Sequence, residues 1–278
     1  MQKTIIITGV TSGIGKALIH HFTQNNERVI GISRNSERLD NLLSELNASY
    51  PNHHTQMMTC DFTSFRDMQR TILKLQAQFQ EGIDILINNA AIVPKAKTFT
   101  IDGFETQYQV NHLAVAYFTV MLKELIMKKH GRVITTSSDA HKRAGFDALD
   151  LEATKRYHPF RSYCRSKLYN IIFTLYAAGV YEKEPIDFYA VHPGRVKTEI
   201  GTKDTSTLYA LFWKWFTRKG FEPEEVVPTY DKLVYQDTIE EAHYFYQEKP
   251  LSIKPIALDL VVQELLWEET MKALDPYL

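Results

Sequence analysis

A tyrosine and a lysine stand four positions apart in "SYCRSK", Ser162 to Lys167. On a helix that spacing is just over one turn, so the Tyr163 phenol and the Lys167 ammonium share a face. A free phenol titrates near ~10, too high for ready exchange at neutral pH, and a neighbouring cation favours the phenolate. Such a pair can give and take a proton, with its acidity tuned from one turn away. Of the 15 tyrosines only Tyr163 has a lysine at this spacing. Chance alone produces about one such match, so the pair needs company.

Company begins near the N-terminus, where "TGVTSGIGKA" follows an apolar run and opens a helix-period segment. Gly9, Gly13 and Gly15 allow a tight turn and close approach of backbone to a pyrophosphate, whose charge the helix N-terminus then favours. The spacing is GxxxGxG rather than GxGxxG, and its place between strand and helix is what marks it as a phosphate loop. Gly9, Thr11, Ser12, Gly13, Ile14 and Gly15 are therefore expected to bind a dinucleotide. At the end of the second apolar run, "GISRNSER" carries Ser33 and Arg34 and no carboxylate before Glu37. An acid there would accept from a ribose 2′-hydroxyl, whereas an arginine fork suits a 2′-phosphate. NADP(H) is expected in preference to NAD(H), with Arg38 either assisting or solvated.

These residues must be carried by elements, and the hydrophobic pattern supplies them. Short apolar runs at Lys3–Thr8, Arg28–Ser33, Gln56–Cys60, Ile83–Asn88, Arg132–Ser137 and Ile186–Val191 read as six strands. Helix-period segments alternate with them: Ile14–Asn25, Ser36–Leu46, Ser64–Phe79, Val110–Lys129 and Tyr163–Tyr181. Strands apolar on both faces and joined by helices predict an α/β fold, a Rossmann-type doubly wound parallel sheet covered on both sides. No repeat, low-complexity tract or linker divides the chain, and 278 residues suit one domain. Residues 1–192 read as the cofactor-binding core with the catalytic residues, and 193–278 as a mostly helical, aromatic-rich region expected to form a substrate lid.

Lys+Arg 32 against Asp+Glu 33 gives no basic face, so nucleic acid is not an expected partner. Cys60 and Cys164 are the only cysteines, which suits a reducing compartment, and a cytoplasmic location is expected. The first strand starts almost at Met1, and no signal peptide or membrane span is expected upstream of it. The paired histidines His20-His21 and His53-His54 point to different faces, and no metal is expected.

The loop, the alternation and the Tyr163/Lys167 pair together resemble the short-chain dehydrogenase/reductase family over most of the chain. Further matches follow in order: Asp61 in "CDFTS", "NNAA" from Asn88 to Ala91, Asn111 in "VNH", Ser138 closing "ITTSS", and "HPGRVKT" from His192 to Thr198. Ala91 replaces the family's glycine in the second of these. Within the family, "SSDAH", the 24 residues between Ser138 and Tyr163, "HYFYQEKP" and "LWEETMKAL" are similar to retinol-dehydrogenase-like members, many of which carry a hydrophobic N-terminal anchor that is not expected in this chain.

The resemblance implies an oxidoreductase interconverting an alcohol and its carbonyl. It places Asp61 at the adenine, Phe62, Asn89 and Ala90 along the cofactor, and Pro193, Gly194, Val196 and Thr198 beside the nicotinamide. Tyr163 would be the general acid in reduction and general base in oxidation, and Ser138 would orient the substrate oxygen. Lys167 would tune the phenol and hold the ribose hydroxyls, and Asn111 would hold a water that relays protons to Lys167. His141 is a candidate substrate contact or a surface residue, and Cys164 is expected to pack.

"LYALFWKWFTRKGF", Leu208 to Phe221, leaves three readings open: a buried helix, a lid over an apolar substrate, and an interfacial helix touching a membrane through Trp213 and Trp215. The lid reading implies a retinoid, steroid or long-chain aldehyde. A homo-oligomer is expected from the family. The alternative function is a protein that senses NADP(H) without turnover; a scaffold on the same fold is a third reading.

Overall fold

The computed structural model describes residues 2–155, 157–197 and 220–278. Its strands are β1 (Thr4–Thr8), β2 (Arg28–Ser33), β3 (Gln56–Thr59), β4 (Ile85–Asn88), β5 (Gly131–Thr136), β6 (Ile186–Val191), β7 (Tyr244–Tyr246) and β8 (Lys249–Pro250). They form one sheet in the order β3-β2-β1-β4-β5-β6-β7-β8. Every pair is parallel except β7 and β8.

The described helices are α1 (Gly13–Gln24), α2 (Ser36–Ser49), α3 (Phe65–Gln78), α4 (Thr106–Tyr108), α5 (Ala114–Met127), α6 (Pro159–Val180), α7 (Val227–Tyr235) and α8 (Leu260–Leu274). The strand alternation divides the core into two layers. Ile5 and Ile7 face a layer with α1, α2 and α7, while Ile6 faces a layer with α3, α5, α6 and α8. Burial on both faces explains why the strands read as continuous apolar runs. The sheet winds one way from β1 to β3 and the other way from β4, so the loops at the carboxyl ends of β1 and β4 diverge and leave a crevice.

All six expected strands form, and two more join them. β7 and β8 make a hairpin whose turn residues, Gln247 and Glu248, have φ of 46° and 63°. That is the backbone of a tight primed turn, here without the asparagine or glycine that would have announced it. The C-terminal region is therefore not only helical: Tyr244 and Phe245 are buried in the sheet edge. α6 starts four residues earlier than the expected Tyr163, because Pro159 supplies a preset first turn.

α4 and α5 join through a π-helical turn, Gln109–Leu113, giving a continuous helix Thr106–Met127. Among the described residues it alone is long and apolar enough to cross a membrane, and 72% of its apolar window is buried inside the fold. Thr198 and the part of the aromatic stretch from Leu208 to residue 219 lie outside the described residues.

Candidate active site

The site lies at the carboxyl ends of β1, β2, β3, β4, β5 and β6. Gly9 follows β1 with φ of +76°, and Gly13 enters α1 with φ of +54°, conformations that favour glycine. A Cβ on Gly9 would sit 2.9 Å from Ala90 Cα, and one on Gly15 only 2.2 Å from the Gly9 carbonyl oxygen. The loop is thus packed tightly between α1 and the segment after β4. Asn89 braces it, its amide donating to the carbonyls of Thr8 at 3.0 Å and Gly9 at 3.4 Å. The N-terminus of α1 has no acidic residue in its first turn and no side-chain cap hydrogen bond. Its positive end is uncompensated by the helix itself, which fits a pyrophosphate.

One cleft brings together Gly9, Thr11, Ser12, Gly13, Ile14, Ser33, Arg34, Asp61, Phe62, Asn89, Ala90, Ser138, Tyr163, Lys167, Pro193, Gly194 and Val196. Ser33 Oγ lies 3.0 Å from Thr11 Oγ1, tying the end of β2 to the glycine loop, and Arg34 is exposed at the same wall. Arg34, Arg143, Lys167 and Arg195 face the cleft against Asp61 and Asp139, a balance that suits an anionic cofactor. Arg38 is not among the lining residues. Ala91 keeps a negative φ, so the alanine in place of the family's glycine fits without strain.

Tyr163 and Lys167 are on α6, both buried, with the Lys167 ammonium 5.6 Å from the Tyr163 ring centroid. Lys167 Nζ donates to the Thr136 carbonyl oxygen at 2.8 Å, and burial pushes the amine down to about 8. Ser137 Oγ donates to the Lys167 carbonyl oxygen at 2.8 Å, which locks β5 to α6 at this point. Ser138 caps a short 3-10 turn, Asp139–Arg143, and its Oγ accepts from Ala140 N–H at 3.2 Å. Its own O–H remains for a substrate oxygen.

Two expected residues stand behind the cleft rather than in its wall. Gly15 is one, packed beneath the loop. Asn111, fully buried in the π turn, is the other: its Oδ1 accepts from Ile92 N–H at 2.8 Å, and its Nδ2 donates to Ile92 O at 3.0 Å and Ser166 Oγ at 3.3 Å. Its side chain docks the helix onto the segment after β4. Its main-chain carbonyl accepts from Asn170 Nδ2 at 2.9 Å.

His141 is neither at the surface nor in the cleft wall. It is fully buried, edge-on to Tyr244 at 5.3 Å. Cys164 packs as expected, and burial pushes its thiol up to about 11.

The sequence reading missed Thr136, Ser137, His192, Arg143 and Phe160. Thr136 acts through a carbonyl, which no side-chain motif announces. His192 opens "HPGRVKT", and Thr136 and Ser137 lie inside "ITTSS", so all three stand within motifs that the sequence shows. The Arg143 guanidinium lies over the Phe160 ring at 5.8 Å, and both residues line the same cleft as Tyr163, together with Ile92, Val110 and Ala140.

Comparison with known proteins bears on this geometry. Residues 3–208 match a family model described as short chain dehydrogenase. The chain is 30% identical to Retinol dehydrogenase 13 of Homo sapiens over 280 residues, covering 97% of this chain and 84% of that one. Among solved structures, a protein from Mycobacterium paratuberculosis superposes with a TM-score of 0.73 at 24% identity, covering 98% of this chain and 93% of that one. An alcohol dehydrogenase from Thermococcus sibiricus, complexed with 5-hydroxy-NADP, superposes with a TM-score of 0.68 at 18% identity, covering 91% and 100%. At such identities the two structures speak for the fold alone.

Proposed function

The chain belongs to the short-chain dehydrogenase family of oxidoreductases, and we propose that it uses NADP(H) to interconvert a lipophilic alcohol and its carbonyl. The observation that carries this reading is the meeting of Ser138, Tyr163 and Lys167 in the cleft that the glycine loop opens.

The nicotinamide, when bound, supplies or accepts the hydride. The chain's own residues handle the oxygen and its proton. Ser138 O–H donates to the substrate oxygen and holds its developing charge. Tyr163 gives its phenolic proton to that oxygen in reduction and takes it back in oxidation. The Lys167 ammonium, fixed by the Thr136 carbonyl, stabilises negative charge on the phenol side. Asn111 keeps the π turn seated, and its neighbour Ile92 forms part of the wall.

Arg34 at the ribose end supports NADP(H) over NAD(H), since a guanidinium pairs well with a 2′-phosphate. Ile92, Val110, Ala140 and Phe160 support an apolar substrate of the retinoid, steroid or long-chain aldehyde kind. The name of the human relative points the same way. Cys60 and Cys164 are both free and buried, which supports a reducing, cytoplasmic setting.

The test is a panel of aliphatic, retinoid and steroid carbonyls with NADPH, followed by loss of the reduced nicotinamide absorbance. Turnover by wild type, and its loss on the order of a thousandfold in Tyr163→Phe with NADPH affinity retained, is expected. Equal rates in the two proteins would overturn the assigned proton donor. A flat panel would favour a cofactor-sensing protein.

A further inference from the structure

The peptide unit between Ser138 and Asp139 is gripped from both sides by imidazoles. Its carbonyl oxygen, that of Ser138, lies 2.8 Å from His141 Nδ1. Its N–H, that of Asp139, donates to His192 Nδ1 at 3.2 Å. The remaining bonds settle which nitrogen carries each proton. His192 Nδ1 also accepts from Gly194 N–H at 3.2 Å, so it is the bare nitrogen and Nε2 holds the hydrogen. His141 Nε2 accepts from Lys254 N–H at 3.4 Å, so His141 carries its hydrogen on Nδ1 and donates it to the Ser138 carbonyl. The two rings are therefore neutral and of opposite tautomer.

We propose that His141 and His192 are positioning residues that set the plane of the Ser138–Asp139 peptide and so aim the Ser138 hydroxyl into the cleft. The inference rests on Ser138 holding the substrate oxygen. The physical reason is rotation: swinging this peptide about its flanking bonds breaks the Asp139 N–H bond to His192 at one end and, at the other, the bonds that the Ser138 carbonyl accepts from His141 Nδ1 and from the His141 main-chain N–H at 3.1 Å, and the backbone on which Ser138 Oγ is mounted moves with it. Each imidazole is itself held from elsewhere. His192 stacks on Tyr246 at 4.8 Å and 27°, and His141 packs edge-on to Tyr244.

β7, which carries both tyrosines, is thereby a backing plate for the catalytic turn, although neither tyrosine lines the cleft. Through Gly194 the same His192 nitrogen ties this turn to the segment expected beside the nicotinamide, coupling serine and cofactor walls. Burial keeps both rings uncharged at neutral pH, with His192 pushed down to about 4 and His141 lowered. An imidazolium at His192 would have no lone pair to accept either N–H.

The proposal is tested first without turnover, by two-bond proton–nitrogen NMR of the histidine rings in the wild-type protein at neutral pH. His141→Asn and His192→Asn spectra assign the two signals. The expected result is the Nδ1–H form at His141 and the Nε2–H form at His192. The reverse tautomer at either ring, or an imidazolium at His192, overturns the proposal.

Kinetics at saturating NADPH then compare His192→Asn, whose Oδ1 stands in for the Nδ1 acceptor, with His192→Phe, which keeps a ring on Tyr246 but accepts nothing. His192→Asn should keep kcat within about threefold, while His192→Phe should lose about ten- to a hundredfold in kcat with a much smaller change in substrate KM. Wild-type kcat in His192→Phe, or equal loss in both variants, refutes the positioning role. If the phenylalanine variant does not fold, the tautomer spectra decide. If no carbonyl is turned over by wild type, the assigned reaction fails while the spectra still judge the clamp.

Discussion

Replacing Lys167 with methionine separates what the ammonium does for chemistry from what its burial costs the fold. The side chain is 2% exposed, and burial pushes its amine down to about 8 from an ordinary 10.5. That difference corresponds to about 3 kcal/mol of disfavoured charge in the folded state. Methionine removes it but leaves the Thr136 carbonyl without its donor, at about 1–3 kcal/mol. Net stability at pH 7 should therefore change by between about zero and about +2 kcal/mol, an unusual outcome for deleting a catalytic group.

The pH dependence is sharper. Between pH 8 and 10.5 the unfolded chain still holds the lysine proton while the folded chain has lost it, so wild-type stability rises relative to Lys167→Met across that window. On the chemical side, a unit charge 5.6 Å from the Tyr163 ring is worth about 3 kcal/mol at an effective dielectric of about 20, a factor on the order of 100 in kcat. Urea unfolding at pH 7 to 10.5 and kcat at saturating NADPH are the assays, with NADPH affinity measured separately. A kcat within about threefold of wild type, or stability curves that stay parallel above pH 8, would refute the reasoning.

Arg34→Ala should weaken NADPH about tenfold or more and NADH less than about twofold, since only the former offers a phosphate to the guanidinium; titration of both nucleotides by fluorescence checks this, and equal losses would remove the cofactor assignment. His112 is buried between Asn170 Oδ1 at 3.3 Å and Thr270 Oγ1 at 2.9 Å, and burial pushes it down to about 4. The unfolded chain takes up this proton first, so the stability from His112 is present above about pH 6.5 and lost as pH falls toward 4. His112→Gln should flatten the fall of stability with acid in that window, and an unchanged slope in urea titrations would show that other groups carry it.

Much of the cleft was legible because its signals are local. Gly9 and Gly13 need backbone angles that few other residues adopt, Gly15 has no room for a side chain, and Tyr163 with Lys167 needs only helical spacing. The strands were legible because burial on both faces leaves apolar runs. β7 and β8 were not, because Gln247 and Glu248 adopt a turn conformation that their residue types do not advertise. His141 is legible only as a substrate contact or a surface residue, because a sequence does not say which of two neighbouring walls a loop side chain joins.

The sequence by itself determined the architecture of alternating strands and helices, the phosphate loop and the phenol–ammonium pair, since periodicity and residue type are written along the chain. Only the tertiary structure decided that Lys167 is held by the Thr136 carbonyl, that Asn111 grips the backbone of Ile92, and that two histidines 51 positions apart, 141 and 192, close on one peptide. Each of those bonds runs from a side chain to a backbone group, which every residue carries alike, so which of them meet is set by packing and leaves no trace in the order of side chains.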